Sequence, residues 1–105
     1  MTNPWLLIVI AGLLETGWAL GLKYSEGFSK PVPSTLTVIG ALASFYLLSL
    51  AMRDIPVGTA YAVWVGIGAV GTAVAAVILF GEPISALRTA GILLIIGGIV
   101  ALKLA

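Results

Sequence analysis

Long apolar segments alternate with short polar ones along the chain. The apolar runs cover residues 4–22, 34–52, 58–80 and 86–103. Each run approaches or exceeds the roughly 20 helical residues that cross the hydrocarbon core of a bilayer, and none has the polar face of a soluble bundle helix. The segments between them are rich in charged residues, Pro, Gly and Ser, as loops are. The pattern predicts an all-α membrane protein, with residues 1–105 forming a single domain of four transmembrane helices.

Composition supports a membrane protein and excludes several kinds of site. The 105 residues are 61% hydrophobic and 9% charged, against about 25% charged in soluble domains. With a net charge of +1 there is no basic field for nucleic acid. The chain contains no His and no Cys, which leaves no disulfide and none of the usual zinc or haem ligands. We therefore expect no metal, no cofactor and, without a nucleophile–base set, no enzyme activity.

Glu15 is the one ionisable residue in the interior of an apolar run. It lies 11 residues after Pro4, about 16 Å along a helix and therefore near the bilayer midplane. A charge at that depth costs at least ~2.5–3.5 kcal/mol, so an acid there is a functional-site candidate. The nearest cation along the predicted helix is Lys23, eight residues away. We expect the carboxylate to be neutralised by a proton or by a cation from solution.

Two residues share a helical face with Glu15. Gly12, Glu15 and Trp18 recur at a spacing of three, which places them along one side of the first helix. Gly12 is expected to leave room beside the carboxylate, and the Trp18 indole N–H is a donor that can orient it. The alternative for Trp18 is an aromatic anchor at the membrane interface.

The second and third runs carry three further candidate site residues. Ser44 is near mid-depth in the second run, and Tyr61 and Trp64 share a face of the third. We interpret Trp64 as facing a cavity. The alternatives are a helix-packing role for Ser44 and an interfacial anchor for Tyr61.

Glycines mark the third and fourth runs. Gly66, Gly68 and Gly71 weaken the third helix, so we expect helix bending there, with close packing as the alternative. The fourth run has small and large residues at alternating spacings of four and three, without a polar interruption. We assign this stripe to a dimer interface formed by Gly91, Leu94 and Gly98.

The distribution of basic residues hardly favours either orientation of the chain in the membrane. Lys23, Lys30 and Arg88 lie on one side of the predicted membrane, and Arg53 and Lys103 on the other, three against two. Since orientation follows such a bias, one reading is a fixed topology set by a single charge. The other is dual topology, in which two oppositely inserted copies form an antiparallel homodimer. Transporters often need inverted repeats around a midplane site, and one copy shows no internal repeat, so we favour the second reading.

The chain resembles the small multidrug resistance transporters over essentially its whole length. The matching segments are Gly12-Leu13-Leu14-Glu15 with Trp18, Lys23 to Phe28, Pro33-Ser34, Ser44-Phe45, Pro56 to Gly68, Gly81-Glu82-Pro83 and Ala86-Leu87-Arg88. Trp18, the segment Gly58 to Trp64 and Gly68-Ala69-Val70-Gly71 make it more similar to the guanidinium exporter subtype than to the quaternary-ammonium subtype.

The resemblance implies a proton-coupled antiporter, built as an antiparallel dimer in a bacterial inner membrane. Glu15 would bind guanidinium or protons in turn, with Trp18, Ser44, Tyr61 and Trp64 around it. Three alternatives stay open: an exporter of quaternary ammonium and other lipophilic cations, a heteromeric pair of subunits, and a rotor-type proton-carrying subunit. Thr16-Gly17 is smaller than is usual in the subtype, which leaves the range of substituted guanidiniums undecided.

Overall fold

Four long α-helices make up most of the protein. The computed structural model describes residues 3–105, so residues 1 and 2 of the predicted domain lie outside the described residues. The helices are α1 Pro4–Tyr24, α2 Pro31–Ala51, α3 Val57–Phe80 and α4 Ala86–Leu104. They contain 19 to 24 residues, or about 29 to 36 Å, and all four are long and apolar enough to cross a membrane. The predicted all-α fold with four candidate membrane-spanning helices is confirmed.

The largest difference from the predicted bounds is at the start of α2. This helix begins at Pro31 instead of residue 34, because the first helical turn needs no N–H donors and accepts proline. Asn3 and Ser85 cap two other helices: Asn3 Oδ1 accepts from the Trp5 N–H at 2.9 Å, and Ser85 Oγ accepts from the Arg88 N–H at 3.1 Å.

A tight turn joins α1 to α2. Ser25 is completely buried in it; its hydroxyl donates to the Leu22 carbonyl at 2.7 Å and accepts from the Phe28 N–H at 3.2 Å. Glu26, Gly27 and Phe28 all have positive φ, which lets the chain reverse within a few residues. The reversal places α1 and α2 side by side and antiparallel.

The core lies where α1 packs between α2 and α3. Its buried side chains come from these three helices and the α2–α3 turn: Ile8, Ala11, Leu48, Ala51, Ile55, Ala60, Val63 and Trp64. The helix α4 packs mainly along α3 and contributes no buried residue. The described chain is therefore a slab, 39 × 35 × 19 Å, whose last helix leaves most of its apolar surface uncovered.

Candidate functional site

The Glu15 side chain extends from the middle of α1 against the backbone of α3. A Cβ atom added at Gly68 would lie 2.6 Å from Glu15 Cγ, so only glycine fits opposite the carboxylate stem. The Oε1 atom of Glu15 is buried and makes no hydrogen bond within residues 3–105. An acceptor in this position is ready for a proton or a cationic donor, since buried polar groups are otherwise hydrogen-bonded.

Glu15 opens into a cleft of about 400 Å³ between α1 and α3. The volume lies in the usual range for small-molecule sites. Trp18 lines the cleft together with Glu15. The α3 side is formed mostly by small residues, and the far end reaches the loop after α3: Val65, Gly68, Ala69, Thr72, Ala73, Ala76 and Glu82.

The structure places Trp18 at this cleft. Its ring packs edge-on against Phe45, 6.2 Å between centroids, and the indole Nε1 is buried with no hydrogen-bond partner in the described part of the chain. The predicted contact with the Glu15 carboxylate is therefore not made in this arrangement, although both groups line one cleft. Its orienting role stays a prediction.

Ser44 and Trp64 form a buried relay that ends on the α1 backbone. The Trp64 Nε1–H donates to Ser44 Oγ at 2.9 Å, and the Ser44 hydroxyl donates to the Ala11 carbonyl at 2.7 Å. Ser44 is completely buried and Trp64 nearly so. The relay joins three helices, which places Ser44 in a packing role one helical turn from Glu15, not in a bond to its carboxylate.

Four aromatic rings form a continuous row beside this relay. Phe45 lies between Trp18 and Trp64, at centroid distances of 6.2 and 5.8 Å, and Tyr61 follows Trp64 at 5.6 Å. Trp18, Tyr61 and Trp64 were predicted to line the site; of these Trp18 lines the Glu15 cleft, and a site role for Tyr61 and Trp64 stays a prediction. The position of Phe45 between Trp18 and Trp64 was not predicted, because nothing in the sequence indicates which face of α2 meets Trp18.

From its position on the Glu15 face, Gly12 was expected to leave room for the carboxylate. In the structure another side chain takes that space. A Cβ added there would lie 2.5 Å from Ile67 Cγ2, so Gly12 lets Ile67 of α3 pack closely on α1. The room beside Glu15 comes instead from Gly68 of the other helix. Thr16, also missed, sits next to this contact: its hydroxyl lies 3.4 Å from both the Gly12 and the Gly68 carbonyl oxygens.

Gly66, Gly68 and Gly71 of α3 all serve close helix contacts. Besides Gly68, Gly66 faces Ile99 of α4, where an added Cβ would be 2.9 Å from Cδ1, and Gly71 faces the Thr16 side chain. The helix is continuous from Val57 to Phe80. In this structure the three glycines permit close helix packing, the alternative given above. Bending at Gly66, Gly68 and Gly71 stays a prediction.

The predicted interface residues of α4 lie on the uncovered surface. Leu94 is 76% exposed, and Cβ atoms added at Gly91 and Gly98 would meet no atom within 4 Å in the described chain. In a bilayer, small residues at a helix surface permit close approach of another helix. Their assignment to a dimer interface stays a prediction, and the chain itself leaves that face free.

Charged side chains lie at the helix ends. Lys30 pairs with Glu26 at 3.0 Å, and Arg88 with Glu82 at 3.8 Å. Lys23 lies 5.0 Å from the Phe80 ring centroid. Within residues 3–105 no ion pair reaches Glu15, so the neutralising partner expected from the sequence is not another side chain of the described chain.

Comparison with known proteins gives consistent matches along the chain. Residues 3–95 match the family described as Small Multidrug Resistance protein. A guanidinium exporter of Yersinia pseudotuberculosis is 55% identical over 101 residues, which is 96% of this chain and 97% of the relative. A guanidinium exporter of Escherichia coli K12 is 54% identical over 100 residues, 95% of each chain. Four apolar helices, an acid in the middle of α1 at an open cleft and these matches agree: the chain belongs to the small multidrug resistance family of multi-pass membrane transporters.

Proposed function

We propose that this chain exports guanidinium ions from bacteria in exchange for protons, with Glu15 as the shared binding group. The observation that carries the proposal is the Glu15 side chain, which lines a 400 Å³ cleft and whose buried Oε1 has no hydrogen-bond partner in residues 3–105. Relatives at 54–55% identity over nearly the full chain are named guanidinium exporters, and they are bacterial proteins, which supports an inner-membrane location.

Guanidinium suits this carboxylate geometrically and electrostatically. It is planar, and its paired N–H groups match the two oxygens of a carboxylate in a bidentate contact. Its flat face can also rest on the Trp18 ring at the cleft wall, a cation–π contact of about 2 kcal/mol when desolvated. A quaternary ammonium has no N–H donor, so it forgoes the bidentate contact.

Neutralisation of Glu15 couples the two ions. An empty, ionised carboxylate near the bilayer midplane is costly, and either a proton or a guanidinium ion removes that cost. The two ligands therefore exclude each other at one site. If the protein changes its access side mainly when it is loaded, an inward proton gradient drives guanidinium out. Bending of α3 at Gly66, Gly68 and Gly71 would supply the movement.

An antiparallel homodimer completes the proposed transporter. Two copies inserted in opposite directions would supply the inverted halves that alternating access uses, with two Glu15 side chains at the same depth. The nearly even distribution of Lys and Arg supports insertion both ways. The exposed stripe of Gly91, Leu94 and Gly98 supplies a face through which the copies can pack.

Currents from proteoliposomes on a solid-supported membrane test the substrate. We expect transport currents with guanidinium chloride, weaker ones with methylguanidinium and none with tetraethylammonium, all compared with protein-free liposomes. Because protons compete for Glu15, the apparent guanidinium affinity should fall as the pH is lowered. Larger currents with tetraethylammonium than with guanidinium would instead assign the chain to the quaternary-ammonium exporters.

Reporters fused to the carboxy terminus test the topology. One reporter is active only in the cytoplasm and the other only in the periplasm, and dual topology predicts that both give a signal. Replacing Arg53 with Glu should shift the population to one orientation, because it removes one of the two basic residues on its side. A signal from one reporter alone in the unchanged protein would refute dual topology.

A further inference from the structure

The cleft that contains Glu15 also reaches a second carboxylate. Glu82, in the loop between α3 and α4, lines the same space at its other end. Between the two acids the α3 wall runs from Gly68, which faces Glu15, to Ala76, about 12 Å along the helix. Most of the residues on this wall are small, so no large side chain of α3 stands between the carboxylates. Glu82 thus stands at the mouth of the cleft, outside the membrane-spanning helix.

The end of α3 fixes Glu82 in that position. Gly81 adopts the left-handed conformation with φ 65°, which a glycine accepts without strain. The Glu82 N–H then bonds back to the Ala76 carbonyl at 3.4 Å. The backbone at Glu82 is therefore held against the last turns of α3, and its side chain stays at the mouth.

Arg88 brings a guanidinium group to Glu82. Its Nη1 lies 3.8 Å from Glu82 Oε1, and the two side chains are 57% and 47% exposed. Such a long, solvated pair contributes little to stability. Arg88 is also in the first turn of α4, where the helix dipole disfavours a cation. Because this pair is weak and unfavourably placed, it contributes little to the stability of the fold, and another cation can readily replace Arg88 at Glu82.

The Arg88 side chain is 57% exposed, so it can move away from Glu82 into solvent. Glu82 and Arg88 both line a second cavity of about 490 Å³ between α3 and α4. The pair therefore lies where the Glu15 cleft and this second cavity meet. An ion that took the place of the Arg88 guanidinium at Glu82 would not have to expel the side chain through packed residues.

We infer that Glu82 is an outer binding station for the transported cation, and that the Arg88 guanidinium occupies it as a tethered competitor. This inference rests on the proposed guanidinium substrate, because the competition is between two groups of the same chemistry. An incoming guanidinium ion exchanges with Arg88 at Glu82 and then moves along the α3 wall to Glu15. In an antiparallel pair each side of the membrane has one such mouth.

The inference predicts opposite effects for two substitutions in one ion pair. Glu82→Gln removes the station and should raise the KM for guanidinium chloride about two- to fivefold, the range that an exposed ion pair corresponds to. Arg88→Gln removes the competitor and should lower the KM by a similar factor. In the double variant the effect of Arg88→Gln should disappear, since Arg88 acts only through Glu82. Proteoliposome currents over a range of guanidinium concentrations measure all three.

A matched pair on the same side of the membrane is the control. Glu26 and Lys30 form a closer ion pair at 3.0 Å and do not line the cleft. Glu26→Gln and Lys30→Gln should therefore leave the KM unchanged, which separates a local station from a general change in surface charge. Glu82→Asp keeps the carboxylate and should keep a KM below that of Glu82→Gln.

The outcomes separate a failure of the outer station at Glu82 from a failure of the proposed guanidinium transport. If the unchanged protein carries guanidinium current but Glu82→Gln and Arg88→Gln shift the KM in the same direction, or not at all, the outer station is refuted and the proposed function stands. Equal shifts from the Glu26 and Lys30 variants would likewise refute it. Absence of guanidinium current from the unchanged protein would overturn the proposed function, and this inference with it.

Discussion

The contact between α1 and α3 and the surface of α4 use glycine in opposite ways. On α3, Gly68 and Gly71 face the Glu15 and Thr16 side chains of α1, which an added Cβ would strike. On α4, Gly91 and Gly98 face no atom of the described chain within 4 Å. Both helices are glycine-rich and apolar, so glycine alone does not distinguish a contact inside the chain from one awaiting a neighbour. The first region forms a binding cleft, and the second offers a surface.

Polar groups separate the same two regions. The α1–α3 contact holds the Glu15 carboxylate, the Thr16 hydroxyl and the end of the Trp64–Ser44 relay. The interior of α4 has no polar side chain between Thr89 and Lys103. We therefore expect function to depend on polar groups at the α1–α3 contact and on close packing at the α4 surface. The following substitutions test that difference.

Glu15→Gln should have the largest effect, because it removes the only charge in the cleft that lies within the membrane span. A charge-assisted contact of up to about 3 kcal/mol is lost, so guanidinium affinity should fall roughly 100-fold and proton-coupled uptake into proteoliposomes should cease. Glu26→Gln, at an exposed turn, is the control and should transport normally. Retained uptake by Glu15→Gln would overturn the exchange mechanism.

Combining Gly91→Leu with Gly98→Leu should convert dimers to monomers without disturbing the chain's own packing. A Cβ atom added at either position meets no atom within 4 Å in the described chain, but leucine side chains there would keep a second copy from packing closely. Cross-linking in membranes reports the change. Gly97→Leu, equal in volume but off the stripe, should stay dimeric. An unchanged dimer in the double variant would remove α4 from the interface.

Gly68→Ala should weaken the α1–α3 contact, since its Cβ would lie 2.6 Å from Glu15 Cγ. Overpacking of this kind costs about 1–3 kcal/mol, which should lower the Tm in detergent and raise the KM for guanidinium. Gly97→Ala is the matched control: its Cβ has free space, and alanine favours the helix by about 1 kcal/mol. Equal Tm values for the two variants would show that the close contact at Gly68 does not constrain the site.

Trp64→Phe should have the smallest effect, because it removes one N–H donor and keeps an aromatic ring. The lost bond to Ser44 is expected to cost about 0.5–1.5 kcal/mol, read as a lower Tm. Combined with Ser44→Ala, the costs should not add, since both residues belong to one relay. Ser49→Ala, whose hydroxyl bonds only within α2, serves as the control. Additive losses would argue that Ser44 and Trp64 act separately.

The sequence allowed the four spans and the central acid to be predicted, but not their pairing. Glu15 stands out because a charge in an apolar run is visible without a structure. An added Cβ at Gly12 would meet Ile67, which the sequence did not indicate, and the role of Gly12 in the site stays a prediction. Ser44 was recognised as polar at mid-depth, yet its bond to the Ala11 carbonyl depends on how α1 and α2 meet.

Local hydropathy by itself determined that the chain has four apolar helices and that one of them contains an acid, Glu15. It did not indicate the partner of that acid. A helix that is apolar on all sides carries no signal for which face turns inward, because lipid and protein neighbours are equally apolar. Only the tertiary structure set Gly68 against Glu15 and brought Glu82, 67 positions later in the chain, to the mouth of the same cleft. Close backbone approach and helix ends, not hydrophobicity, decided those contacts.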